Sequence, residues 1–444
     1  MTASAAPDPL ATKQERALLR RVLAGHGYNR RPLFMLRRAL VARLGVTAGF
    51  TAWMQAVPRD LAPPTGSLSR LPLTALGDAV SEATLASGGR QLQAAPAKVL
   101  GDGTHRTLRI TGRTIHAGRL SDAQVIGASG AVVAQDRAIL DFEGAEIAQT
   151  DDAIELDPAI VAHDAAAGRV WTPAPREPLP EIASGFGLLG WSTGLFGHWL
   201  GEYLPKFMLA VARDAVPQAH LLIDAEMPAA HRQAIEMLAP DHMTLHPVPR
   251  FAPLRVRDLG LVSTLNYPVL APQSDMATWD YGVIDADLFA ESVAVMRRRL
   301  DRLPPGVAGP RRLYLSRRGQ ARRALVNTDE IEDLVRAAGF AVVQPEMLEF
   351  ARQVQLMRGA DVILGPDGSA MMLAMFARPG TRMGILNHPN IEGLATLTAP
   401  LAAVGIETTV LTGAPEGGDP RFAHNASYRI DPERLRAFLA DDLV

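Results

Sequence analysis

Between Arg311 and Gly380 the chain concentrates residues suited to anion chemistry. Arg317, Arg318, Arg322 and Arg323 crowd one short segment behind the apolar run Leu313, Tyr314 and Leu315. Guanidinium groups stay charged and grip phosphate or carboxylate through two parallel N–H bonds, so this density fits an anion site better than a folding requirement. Val362, Ile363 and Leu364 then run into Gly365, Pro366, Asp367, Gly368 and Ser369, a turn that opens a helix, and helix N-termini attract negative charge. Upstream, His198 and Glu202 stand four residues apart and share one face of a helix. Histidine titrates near neutrality and suits general-base work. Asp367, at a strand end, is the competing base. A solvated arginine loop and a structural histidine under a glycine loop are the plain alternatives to these roles.

The elements that must hold these groups alternate. After Leu313 to Leu315 a helix follows Asn327, which can cap it with Glu330 at the third helical position. Ile331, Leu334, Val335 and Ala338 repeat on one face, and Gly339 ends it. A strand at Phe340 to Val343, a helix marked by Phe350, Val354 and Met357, a buried strand at Val362 to Leu364, a third helix and a strand at Met383 to Leu386 complete the segment. Strand and helix in alternation predict half of a parallel, doubly wound sheet, whose ligands sit beyond the carboxyl ends of the strands. The arginine loop and the Gly365 to Ser369 turn both occupy such ends.

A first α/β unit precedes it. Gly187 to Trp191 enters a glycine loop and a helix from His198 to Ala212. Strands at Leu221 to Asp224, Met243 to His246 and Leu259 to Ser263 surround a helix at Pro228 to Leu238. Leu71 to Val170 reads as short β hairpins, including Thr107 to Ile110, Ala131 to Ala134 and Ala138 to Phe142. Met1 to Pro64 reads as mostly helical. The expected division is a helical extension over 1–64, an N-terminal unit over 65–283 and a second α/β unit over 284–444. The PVLAPQSD stretch is the expected hinge, Ala286 to Leu303 a helix, and Asp431 to Leu443 a closing amphipathic helix.

Composition narrows the classes. The 444 residues are 48% hydrophobic with a formal charge of −2, which fits a globular protein and argues against a general nucleic-acid binder. There is no cysteine, so disulfides and thiolate metal sites are excluded. The N-terminal stretch lacks the pattern of a secretory signal. Ile182 to Gly201 carries no charge apart from its histidine, but its glycines favour a buried strand and turn over a membrane span. Arg30 to Val57 is basic and apolar, and packs on the core with its arginines in solvent or lies on a membrane surface. Asp285 and Asp287 form an Asp-x-Asp, but stand where an acidic first helical turn is expected, so no metal role is assigned.

Two blocks carry a resemblance. The first is Gly197, His198, Trp199, Glu202, Leu204 and Pro205. The second is LSRR, an arginine-rich turn, the Asn327 to Glu330 helix start, Pro345-Glu346 before an aromatic helix, GADVILGPDGS and a closing Pro-Gly. In this order and at this separation they resemble glycosyltransferase family 61, over roughly Gly185 to Gly380. The chain departs from the family where His-Gly-Ala-Gly and a later Asn are usual, with Asp367, Gly368, Ser369, Ala370 and Leu373 instead.

The resemblance implies a GT-B-like pair of Rossmann-type units facing a cleft, and inverting, metal-independent transfer from a nucleoside diphosphate sugar, with UDP the expected nucleotide and no cofactor. Such transfer requires a stabilised diphosphate and a deprotonated acceptor hydroxyl. The expected donor-binding residues are Arg317, Arg322, Arg323, Asn327, Glu346, Gly365, Gly368 and Ser369. Asn327 has a helix-cap role as its alternative, and Glu346 the role of a helix-leading acid. The expected catalytic residues are His198, Glu202 and Asp367, although a carboxylate beside a diphosphate suits Asp367 better to sugar hydroxyls or an arginine. A glycan or lipid-linked acceptor in surface polysaccharide synthesis, a cytoplasmic location and a peripheral membrane contact through the N-terminal helices complete the expectation. The alternative is a non-catalytic nucleotide- or sugar-binding protein that retains the fold.

Overall fold

The computed structural model describes residues 10–24, 31–64, 66–80, 83–94, 97–103, 107–141, 154, 157–265, 284–303, 309–320, 323–389, 394–417 and 426–443. Arg322 and the expected hinge PVLAPQSD lie outside them. The fold is mixed α/β, with two large sheets and helices.

The first sheet joins the β-rich segment to the first α/β unit. Strands Thr244–Val248, His220–Asp224, Glu181–Gly187 and Pro253–Val262 lie parallel in that order. Pro253–Val262 then pairs antiparallel with Ile115–Ile126, in a register from Pro253 opposite Ile126 to Val262 opposite Ala117. Val132–Ala134, Arg137–Leu140, Leu68–Ala75, Arg169–Pro173 and Ala162–Asp164 continue the sheet. Along Ile115–Ile126 the alternation is interrupted: Ile115 and Ala117 join the main core, Leu120, Ala123 and Val125 join a second cluster, and Asp122 between Leu120 and Ala123 has φ +52°. The Ile182 to Gly201 stretch is strand, loop and helix start, and among the described residues no helix is long and apolar enough to cross a membrane.

The second sheet is parallel throughout, in the order Ala341–Val343, Arg312–Leu315, Val362–Pro366, Arg382–Asn387, Glu407–Thr412 and Lys98–Leu100. Every residue of Val362–Pro366 is buried, as expected for a central strand covered on both faces. Thr328–Ala337 is the predicted helix, and Gly339 follows it at φ +81°, a left-handed stop that glycine adopts without Cβ cost. Three features differ from expectation. Lys98–Leu100 crosses from the β-rich segment to the edge of the second sheet, a pairing set by long-range contact and not by any local pattern. The helix after Gly368 is a 3-10 helix, Ser369–Phe376, with Met371 to Phe376 buried on all sides. Ala395–Ala403 and Glu407–Thr412 add a helix and strand beyond the alternation read from sequence.

Helix Ala286–Leu300 braces the two sheets. It packs against Leu204–Ala212 on one side and Ala395–Ala403 on the other, and Arg297 donates from Nε to the Met375 carbonyl at 2.9 Å. Its N-cap is Asp285, whose side chain accepts from the Leu288 amide and pairs with Arg90, so the Asp-x-Asp is capping chemistry. One hydrophobic core therefore runs from Phe186 and Trp199 through Phe289 to Ile363 and Met375.

Helices Lys13–Leu23, Arg31–Leu44 and Val46–Ala56 form a separate small core around Phe34, Phe50 and Trp53. Arg37 is buried inside it, not solvated as the basic pattern suggested. Its guanidinium lies over Phe34 and Trp53 and donates to the carbonyls of Pro158 at 3.1 Å and Asp157 at 3.0 Å. Such a cation serves as a bolt to the β-rich segment, because the buried Pro158 carbonyl would otherwise lack a donor, while the Asp157 carbonyl also accepts from the Ile160 amide.

Gly365 sits where two parallel strands come closest: a Cβ there would lie 2.7 Å from the Leu315 carbonyl oxygen. Gly365→Ala is expected to lower the unfolding free energy by about 1–3 kcal/mol through overpacking. Urea melts check this as a lower midpoint at unchanged slope. An unchanged midpoint would show that the strands separate freely.

Candidate active site

The two sequence blocks meet in space. Phe196–His198 is a single helical turn, continued by a π turn over Trp199–Tyr203 and by the helix Leu204–Ala212. The π turn has a cause in the sequence: Pro205 has no N–H to donate to Gly201, which breaks the α-helical ladder at this point. The ladder resumes in a wider register, with the Leu204 amide donating to the Trp199 carbonyl. Gly197 packs against the 3-10 helix, where a Cβ would lie 2.9 Å from Ser369 Oγ. His198 therefore stands next to the seam where the first block touches the second.

His198 and Glu202 form the pair that their spacing predicts, with Nδ1 2.6 Å from Oε1. Burial works against the imidazolium, but the charge of Glu202 and its hydrogen bond outweigh burial and raise the His198 pKa above 6.5. The Trp191 ring stands 6.1 Å from the imidazole. Glu202 also lines a cavity of 170 Å³ between this helix and the first sheet, together with Asp141, Trp191, Ser192, Tyr203 and Lys206. Lys206 was not singled out from the sequence, although the period-four series His198, Glu202, Lys206 was a signal for it.

On the other side of the seam, Arg317 follows the strand Arg312–Leu315 and donates to the backbone carbonyl of Asp367. A Cβ on Gly368 would lie 2.8 Å from this guanidinium, so any larger residue there would displace the arginine from its place under the turn. Burial and the neighbouring Arg323 lower the Arg317 pKa, against opposing contributions from Asp367, Tyr428 and Glu346. The side chain stays cationic, and its charge is held at an energetic cost that an anion would relieve. Arg323 has φ +51°, a left-handed conformation that costs a non-glycine residue on the order of 1 kcal/mol. From there its Nη1 donates to Asp367 Oδ2 at 2.6 Å. Asp367 thus acts on an arginine, one of the two roles that its position suggested.

The remaining predicted residues divide. Ser369 is exposed at the seam, Gly368 is buried beneath it, and Glu346 is exposed in the turn Pro345–Met347 at the end of Ala341–Val343. Gly365 contributes strand packing. Asn327 stands at the N-cap position but its side chain caps no amide. Instead Nδ2 donates to Glu330 Oε2 at 2.9 Å and to the Ile430 carbonyl at 2.8 Å, tying the C-terminal segment to the helix. This replaces the helix-cap role, because the long-range carbonyl competes for the amide. Arg318, part of the cation cluster in sequence, is engaged by Asp329 at 2.6 Å and by the buried Glu332 at 2.8 Å. Among the described residues no three His, Asp or Glu side chains gather as a metal site.

The His198 arrangement gives a signed prediction. Imidazole titration followed by NMR should show a midpoint above 6.5 in the native protein. Glu202→Gln removes the charge and leaves only a weaker hydrogen bond against burial, so the midpoint should fall. An unmoved midpoint would mean that the carboxylate does not hold the proton.

No curated protein is significantly similar to the chain. The family model described as Glycosyltransferase 61 matches residues 196–384, which begin at the turn carrying His198 and end in the strand beyond Gly368. The matched segment thus contains both blocks and the seam between them, and over these residues the chain is similar to glycosyltransferase family 61.

Proposed function

We propose that the protein is an inverting, metal-independent glycosyltransferase of GT-B arrangement that uses a nucleoside diphosphate sugar, UDP-linked in the first instance. The acceptor is a glycan or lipid-linked sugar in surface polysaccharide synthesis on the cytoplasmic side, with a peripheral membrane contact through the N-terminal helices. The similarity of residues 196–384 to the family supports glycosyl transfer. The finer reading rests on one observation: a partly buried arginine, Arg317, lies under a glycine turn at the carboxyl end of a parallel sheet, beside the helix that carries His198 and Glu202.

In this mechanism the diphosphate lies over Gly368 and Ser369. Arg317 and the amides opening the 3-10 helix meet the charge that develops as the anomeric C–O bond breaks. The acceptor hydroxyl attacks the anomeric carbon from the opposite face, which inverts the configuration. Its proton passes to the His198–Glu202 pair, and the bonding electrons of the broken C–O bond leave with the diphosphate. Arg323 keeps the turn in shape through Asp367, and Glu346 stands at a neighbouring strand end, within reach of the nucleoside.

A donor-hydrolysis assay tests this reading. A panel of nucleotide sugars, read first by thermal stability shift, identifies a ligand by mass action. Release of nucleoside diphosphate from that donor should then fall about 100-fold or more in Arg317→Ala, the scale on which truncating one partner of a buried charge contact is felt. Arg318→Ala should leave it within about threefold, since Arg318 is directed to Asp329 and Glu332 on the helix and not to the turn, and Arg336 still pairs with the buried Glu332. Failure of every nucleotide sugar to bind or turn over would overturn the proposal, and binding without any turnover would favour a non-catalytic binding protein.

A further inference from the structure

The cavity beside Glu202 has no role in donor binding, and its lining is chemically specific. Trp191 and Tyr203 supply aromatic walls, and Glu202, Asp141, Asp157 and Lys206 line a space of 170 Å³, with Asp157 turned to the Ser129 hydroxyl and the Gly130 and Ala159 amides. The carboxylates are partly engaged. Glu202 is held by His198, and Asp141 accepts from Arg113 at 2.7 Å and from the Thr264 amide at 2.5 Å. Lys206 differs. Among the described residues its ammonium makes no ion pair, and lies over the Tyr203 ring at 5.1 Å.

Size limits the occupant. A cavity of about 150 Å³ holds one six-membered ring, and pockets for larger organic ligands begin at about 300 Å³. Charge limits it further: an added carboxylate or phosphate would compete with Glu202 for His198 and with Asp141 for Arg113, whereas a neutral ring leaves both pairs intact. A neutral polyol ring satisfies both limits. Its C–H face packs on an aromatic ring, and its hydroxyls donate to carboxylates and accept from an ammonium.

We propose that this cavity is the acceptor subsite and takes one neutral pyranose unit, with Trp191 as its platform and Lys206 donating to a ring or hydroxyl oxygen. The inference rests on the transferase reading given above. It adds that the acceptor meets the His198–Glu202 pair at its carboxylate end, because Glu202 and not His198 lines the cavity. Burial lowers the Lys206 pKa, so its ammonium gains from a ligand oxygen that restores the hydrogen bonding lost with water.

The test uses the full-length protein with methyl β-D-glucopyranoside and methyl β-D-galactopyranoside as neutral probes, methyl β-D-glucuronide as the anionic one, and UDP as a separate probe of the donor side. Saturation-transfer NMR should show a neutral pyranoside bound in preference to the glucuronide. Lys206→Met and Trp191→Ala should each weaken that binding about tenfold, the loss expected for one hydrogen bond from a charged donor or one ring contact. Unfolding midpoints of both variants identify any loss that comes from misfolding, and the half-buried Trp191 supplies the check if Lys206→Met does not fold. The proposal is overturned if no neutral pyranoside binds, if the glucuronide binds better, or if neither folded variant weakens binding. Loss of UDP binding alone would count against the donor reading and leave the acceptor result standing.

Discussion

The passage of Arg317 beneath the Gly368 turn is the constraint on which the remaining geometry depends. A guanidinium half-withdrawn from water must find carbonyls or carboxylates, and here it takes the backbone oxygen of Asp367. That contact fits the absence of a Cβ at 368, since a Cβ would displace the guanidinium, and it lies where the chain leaves the strand Val362–Pro366. Ser369 then emerges at the surface, against Gly197. Two close approaches at glycines, Arg317 at Gly368 and Ser369 at Gly197, bring an arginine that follows a strand and the helical turn of His198 to the same seam.

The helix on the opposite side is shaped by a proline. Pro205 interrupts the α-helical ladder, and the π turn over Trp199–Tyr203 absorbs the interruption. His198 and Glu202 still meet across this turn, which leaves Glu202 on the cavity wall and Trp191 beside the imidazole. Buried aromatic packing keeps the turn in place: Trp199 stacks on His231 with ring centres 5.3 Å apart, and the Tyr203 hydroxyl lies 3.1 Å from Ser192 Oγ. A histidine with a raised proton affinity is thus carried on a packed support, as acid–base chemistry requires.

Support for the second sheet comes from outside it. Lys98–Leu100 forms its edge, Ala286–Leu300 braces it against the first sheet, and the C-terminal segment is held through Asn327. Arg318 and Arg336 converge on Glu332, whose carboxylate is buried yet kept below its usual pKa by those guanidiniums despite the burial. The arginine-rich segment therefore has two functions: Arg318 stabilises the helix Thr328–Ala337, whereas Arg317 and Arg323 shape the turn.

The sequence by itself determined the alternation of strands and helices, the two blocks that carry the site, the His198–Glu202 pairing and the position of the arginines at strand ends. Each of these follows from local periodicity or from short spacing along one element. The tertiary structure alone decided which arginine faces the turn and which is neutralised on a helix. It also decided that Asn327 ties down a distant strand, that Lys98–Leu100 joins the second sheet, and that Lys206 and Asp141 share a cavity. The physical reason is that hydrogen-bond partners, close backbone approaches and cavity walls arise from residues a hundred or more positions apart, and no local pattern encodes which of several chemically equivalent side chains will be brought together.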